Sequence, residues 1–162
     1  YKEKGVFTLA KACENLKSVN CIFLGGNKNE PEFKQLQKFA ENSKVIPYVK
    51  HSDVPKYIAD ADLLVIPNSA KDKVFAEDTS PLKLFEYMAS GKKILASDVP
   101  AIKAILNEKM AWFFQADDVD DLRKKIIEAL NSEDDKGMLA AREAKKYSWK
   151  ERAKEILAFL DI

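Results

Sequence analysis

Two carboxylates bracket a helix start in the stretch Asp78-Thr-Ser-Pro-Leu-Lys-Leu-Phe-Glu86, which continues into Tyr-Met-Ala-Ser-Gly91. Ser80 is a favourable N-cap, and Pro81 suits the first helical position because its missing N–H would have had no partner there. Gly91 reads as the glycine just past the helix end. Lys83 falls at the third helical position, where a capping box would place Glu or Gln. A cation there opposes the helix dipole unless an anion covers the helix end. One ligand is thus offered three kinds of contact. The amides around Leu82 and Lys83, with the Lys83 ammonium, suit a phosphate, while Asp78 and Glu86 are acceptors for sugar hydroxyls. Leu84, Phe85, Met88 and Ala89 form one apolar arc, and Glu86 lies outside it, so its carboxylate need not be buried unpaired. Without a ligand, the same stretch reads as a capped surface helix with two solvated acids.

The elements that must position these groups alternate along the chain. Short apolar runs at 21–24, 45–49, 63–66, 94–96 and 111–114 read as strands, the second an edge strand because it contains Pro47. Between them lie helical patterns near 6–18, 31–42, 53–60, 80–90 and 100–107, and three more follow near 118–131, 134–147 and 149–160. Continuous hydrophobic strands separated by helices predict a parallel sheet covered on both faces. Asp117-Asp-Val-Asp-Asp121 supplies acids to the start of a helix, a structural task. Gly25-Gly26 reads as a tight strand-to-helix turn, since two glycines without a fuller pattern do not define a phosphate loop.

At 162 residues, the chain fits one domain with a substantial core. Its 27 basic and 26 acidic residues leave no global field favouring nucleic acid or membrane, so the expected partner is a small molecule held locally. Cys13 and Cys21 lack metal or CxxC spacing and read as reduced thiols of a cytoplasmic protein. No apolar run approaches the roughly 20 residues of a membrane span. His51, the only histidine, precedes a helix that Ser52 or Asp53 could cap, and no neighbour in sequence orients it as a base.

The Asp78-x7-Glu86 stretch with its following helix, glycine and buried strand resembles the donor-site motif of the family-four retaining GT-B glycosyltransferases, whose pattern is Glu-x7-Glu. Three further stretches resemble that family in order: Lys4-Gly5, Asp60-Ala-Asp-Leu-Leu-Val-Ile-Pro67 and Tyr147-Ser-Trp-Lys-Glu-Arg152. The resemblance implies a Rossmann-like doubly wound sheet, the C-terminal half of a GT-B fold, spanning residues 1–162 as the donor nucleotide-sugar-binding domain. It implies that Asp78 holds sugar hydroxyls, that Glu86 holds the ribose, and that Lys4, Lys83 and the amides near Ser80 and Leu82 hold the diphosphate. Tyr48 and Val49 are the nearest candidates for the nucleobase. The donor would be a nucleotide-diphosphate sugar, transferred with retention and without a metal or other cofactor, in surface polysaccharide or lipopolysaccharide assembly. The partner would be an N-terminal acceptor domain of the same polypeptide, carrying any contact with the inner membrane face. Asp in place of Glu at 78 shortens that acid by one methylene and bears on which sugar it fits.

In the family a strand precedes the Lys-Gly, whereas this sequence opens at Tyr1-Lys-Glu-Lys-Gly5. A sheet of order 3-2-1-4-5-6 would then be interrupted between the strands at 21–24 and 63–66, or another chain or segment would fill the place. Two other classes remain open at this point. One is a regulatory, receiver-like α/β domain with an acidic pocket built from Asp62 and Asp98. The other is a noncatalytic GT-B-like scaffold. A sugar-nucleotide epimerase would share the fold without this spacing of acids.

Overall fold

The computed structural model describes residues 4–14, 16–39, 43–77 and 82–160. Helix α1 (Val6–Cys13) leads into β1 (Cys21–Leu24), α2 (Pro31–Leu36) and β2 (Ser43–Ile46). A 3-10 turn over His51–Asp53 then precedes α3 (Val54–Asp60), β3 (Leu63–Ile66) and α4 (Lys73–Glu77). The central helix α5 (Leu82–Ser90) is followed by β4 (Lys93–Ser97), α6 (Pro100–Lys103) and β5 (Trp112–Phe114). Three helices complete the order: α7 (Val119–Asn131), α8 (Lys136–Ala144) and α9 (Trp149–Phe159).

All strand pairs are parallel, as the continuous apolar runs predict. Among the described residues the ladder has two parts, β2-β1 and β3-β4-β5, so the interruption expected between 21–24 and 63–66 is present. Alternation along the second part sends side chains to opposite layers. Leu95, Trp112 and Phe114 join α1 and α7 on one side. Ile66, Ile94 and Ala96 join α5, α6 and α8 on the other. This is a doubly wound sandwich, and the core on the α1 side also reaches Cys21 and Phe23 of β1. Both cysteines are buried thiols that are not joined in a disulfide.

Several expectations change in detail. β1 is covered on one face only: Cys21 and Phe23 are buried, but Ile22 is exposed. β2 is an edge strand that stops at Ile46, because Pro47 has no N–H to continue the ladder. The short helix α4 has no apolar period in the sequence and was not expected. Helices α1, α2 and α6 close earlier than their patterns suggest. On α5, Leu84 and Met88 are buried and Phe85 is half-buried, but Ala89 faces solvent, so the buried arc is narrower than its apolar letters.

Two contacts fix α5. Gly91 ends it in the left-handed conformation (φ 71°), turning the chain into β4. Phe85 packs against Tyr147, with ring centroids 5.0 Å apart, which ties α5 to the segment before α9. There the Ser148 hydroxyl accepts from the Glu151 N–H and caps α9, as the Tyr-Ser-Trp stretch suggests. Helix α8 lies close to the 91–92 turn because Gly137 has no side chain. A β-carbon there would overlap the Gly91 and Lys92 carbonyl oxygens. Gly137→Ala is therefore expected to destabilise the fold by about 1–3 kcal/mol, the range for overpacking. An unshifted denaturant midpoint would show that α8 can move away at no cost.

Candidate functional site

Several chemistry-bearing groups follow the C-terminal ends of strands in the two parallel parts, β1-β2 and β3-β4-β5. Ligands of open α/β sheets bind outside such strand ends. Gly5 (φ 63°) lies at the end of β3 in a left-handed conformation, so close that a β-carbon would overlap the Pro67 carbonyl oxygen. Lys4, exposed just before α1, is thereby delivered beside the start of α5. A cleft of about 440 Å³ opens next to it, between Phe7, Thr8 and Lys11 of α1 and the Ser69–Asp72 loop.

Lys83 lies partly buried in the first turn of α5. Burial pushes its ammonium down to a pKa of about 8, and repulsion from Lys4 adds to the effect. A cation near a helix N-terminus with a second cation facing it is electrostatically unfavourable, and a bound anion reverses the sign of both terms. Leu82, whose amide lies at the same helix end, has an exposed side chain.

Glu86 follows Lys83 by three residues, on the same side of α5. Its Oε1 lies 3.5 Å from His51 Nε2, and the two side chains are 37% and 83% exposed. The sequence pattern alone gave no partner for His51; the β2–α3 connection supplies one from a different element. Asp53 does not cap α3 with its side chain as expected, but pairs with Lys56 at 2.9 Å. Tyr48 is 76% exposed, so it does not cover the core, and its N–H donates to the Gly26 carbonyl. Val49 beside it is half-buried. Gly25 and Gly26 form the expected tight turn (φ 120° and 80°). Asp78, Ser80 and Pro81 lie outside the described residues.

One residue with a role at this edge was assigned a different task from the sequence. Asp118 does cap α7, accepting from the Asp120 and Asp121 N–H groups, as the acid run suggests. Asp117 turns away into the left-handed region (φ 64°), the only non-glycine among the described residues to do so. Its Oδ1 accepts from the Ser69 hydroxyl at 2.7 Å and its Oδ2 from the Ala70 N–H at 2.9 Å. The loop after β5 thus latches the loop after β3, a contact spanning 47–48 residues that no local pattern encodes. Asn68, in the same loop, is buried with its Oδ1 unpartnered among the described residues.

The acidic-pocket alternative does not survive this geometry. Asp62 precedes β3 and Asp98 follows β4, so in parallel neighbours they lie at opposite ends. Asp98 also accepts the Ala116 N–H at 2.8 Å. Among the described residues no three His, Cys, Asp or Glu side chains are grouped to hold a metal, and no helix is long and apolar enough to cross a membrane.

The fold is that of a Rossmann-like domain of the GT-B glycosyltransferases. HepE of Anabaena, crystallised with UDP and glucose, superposes with a TM-score of 0.82 at 16% identity, over 99% of this chain and 45% of its own. Sucrose-phosphate synthase from Thermosynechococcus elongatus gives 0.82 at 15%, over 99% and 42%. A glycosyltransferase from Rickettsia africae gives 0.79 at 16%, over 97% and 44%. The chain thus spans less than half the length of these structures. No curated protein sequence matches it. The chain belongs to the family described as glycosyl transferases group 1, whose model matches residues 1–132.

Lys83→Met should raise the stability of the ligand-free protein at pH 7 by on the order of 1–2 kcal/mol, since it removes a desolvated, repelled charge. It should also weaken pyrophosphate binding. Thermal melts with and without pyrophosphate check both effects, and a destabilised ligand-free variant would contradict the first. Asp117→Ala should cost about 1–3 kcal/mol in lost hydrogen bonds and left-handed strain. Asp117→Gly should cost less, because glycine adopts this φ freely. Equal losses in urea denaturation would show that the backbone conformation carries no strain.

Proposed function

We propose that this chain is the donor-binding domain of a retaining, metal-independent hexosyltransferase of the GT-B type. The observation that carries the reading is the Lys4–Lys83 pair at the start of α5. Lys83 is a desolvated cation in the first turn of a helix, with Lys4 adding repulsion, and that setting suits a diphosphate. Lys4, Lys83 and the Leu82 amide would stabilise charge on the departing diphosphate, with no reorganisation needed as that charge develops. Glu86, one turn further along α5, would accept from ribose hydroxyls. Asp78 would accept from those of the sugar, with Ser80 completing the helix start. The exposed Tyr48 and its neighbour Val49 lie on the connection best placed for the nucleobase.

The parent enzyme would transfer a sugar from a nucleotide-diphosphate sugar to a glycan or lipid-linked acceptor. A second domain of the same polypeptide would supply the acceptor side, in keeping with relatives more than twice as long. HepE, crystallised with UDP and glucose, lends support to a nucleotide-sugar donor. Surface polysaccharide or lipopolysaccharide assembly in the cytoplasm, with the full-length protein peripheral at the inner membrane face, is the context we assign.

Calorimetric titration with UDP, GDP and ADP, with and without magnesium, tests the reading. Saturable binding of one diphosphate, insensitive to magnesium, is the expected result. Glu86→Ala should weaken it by about 1.5–3 kcal/mol, the range for a hydrogen bond to a charged group. Unchanged affinity in that variant would remove Glu86 from the site.

A further inference from the structure

The groups at the strand ends form an ordered row. Lys4 is near enough to Lys83 to repel its charge, Lys83 and Glu86 share one side of α5, and Glu86 Oε1 lies 3.5 Å from His51 Nε2. The charges run cation, cation, anion, imidazole, and the two ends belong to different elements, α1 and the turn before α3. A phosphate end and a hydroxyl end follow from this order alone. Glu86 can only accept hydrogen bonds, whereas each hydroxyl of a cis-diol both donates and accepts. A carboxylate by itself leaves the acceptor side of the diol unmet. The imidazole supplies the missing donor from the opposite side of the opening. Neither side chain is held by burial, and an exposed pair of this kind contributes little stability on its own. The 3.5 Å separation is also longer than a good hydrogen bond, leaving the remaining lone pairs of Glu86 available to a ligand. The other charged groups nearby are Lys50 and Asp53 of the same connection, and Asp53 is already paired with Lys56.

We propose that His51 is a further donor-binding residue, which with Glu86 grips the ribose cis-diol of the nucleotide. This rests on the donor-domain reading and adds to it the group that supplies the hydrogen-bond donor. His51 is the only histidine of the sequence, so its ring resonances in an NMR spectrum are unambiguous.

The test compares the nucleoside diphosphate that binds best with its 2′,3′-dideoxy analogue and with glucose 1-phosphate, read by calorimetry and by the His51 ring resonances. The diphosphate should move those resonances saturably, and the dideoxy analogue should bind about tenfold more weakly, roughly one hydrogen bond to a charged group. His51→Ala should remove part of that discrimination, the share that Glu86 does not supply. His51→Gln, which keeps a donor near the Nε2 position, should restore part of it. A general loss of structure would lower both affinities together and leave their ratio alone. An unchanged ratio in His51→Ala, or ring resonances unmoved at saturation, overturns the assignment while leaving the donor-domain reading in place. Movement with glucose 1-phosphate but not with the nucleotide would assign the pair to the hexose instead and also overturn it. If the unmodified chain binds no nucleoside diphosphate, the donor-domain reading falls and this assignment with it.

Discussion

Burial of the Lys83 ammonium in the first turn of α5, with Lys4 adding repulsion, is the constraint on which the reading of this domain depends. An isolated helix would place an acid, not a lysine, in its first turn, and a free chain would let two ammonium groups separate. Here the backbone beside each lysine is fixed by packing. Gly5, next to Lys4, lies against the Pro67 carbonyl in a left-handed backbone that a side chain would block. Leu84 and Met88 lock α5 into the core, so Lys83 cannot rotate away without pulling those side chains out. The electrostatic cost is local, and packing on the far face of α5 offsets it.

The architecture around this pair is two-sided by construction. Alternate residues of β4 and β5 feed separate cores, one against α1 and α7 and one against α5, α6 and α8. The element carrying Lys4 and the element carrying Lys83 therefore belong to opposite layers and meet only at the strand ends. The Asp117 latch joins the loops after β3 and β5 at the same edge. Loops from separate strands are thus tied together at the edge that carries the candidate site.

Much of this was legible in the sequence because it is local or periodic. The apolar runs gave five parallel strands, and Gly91 and Ser148 gave a helix end and a helix start. The misplaced cation at Lys83 pointed to the candidate site. The parts that were not legible depend on contacts between distant segments. His51 gained meaning only when the β2–α3 connection brought it to Glu86. Asp117 read as one more acid at a helix start until its left-handed backbone aimed it at Ser69, 48 residues away. Ile22 read as a buried strand residue because periodicity cannot say how many faces of a strand are covered. Asp62 and Asp98 made a poor acidic pocket in the sequence, and strand direction places them at opposite ends.

The most direct test of the account is the titration of the Lys83 ammonium by NMR, in the free protein and with saturating inorganic pyrophosphate. In the free protein it should lose its proton near pH 8, well below the ordinary lysine value, because burial and Lys4 oppose the charge. The resulting cost to folding is present in full below that pH and is relieved as the pH rises from about 8 towards the unfolded lysine value of about 10.5. A bound diphosphate favours the charged form, so pyrophosphate should move the titration back towards the ordinary value or beyond it, with a proton taken up on binding in that interval. A Lys83 that titrates at the same pH with and without pyrophosphate would contradict an anion site at the start of α5.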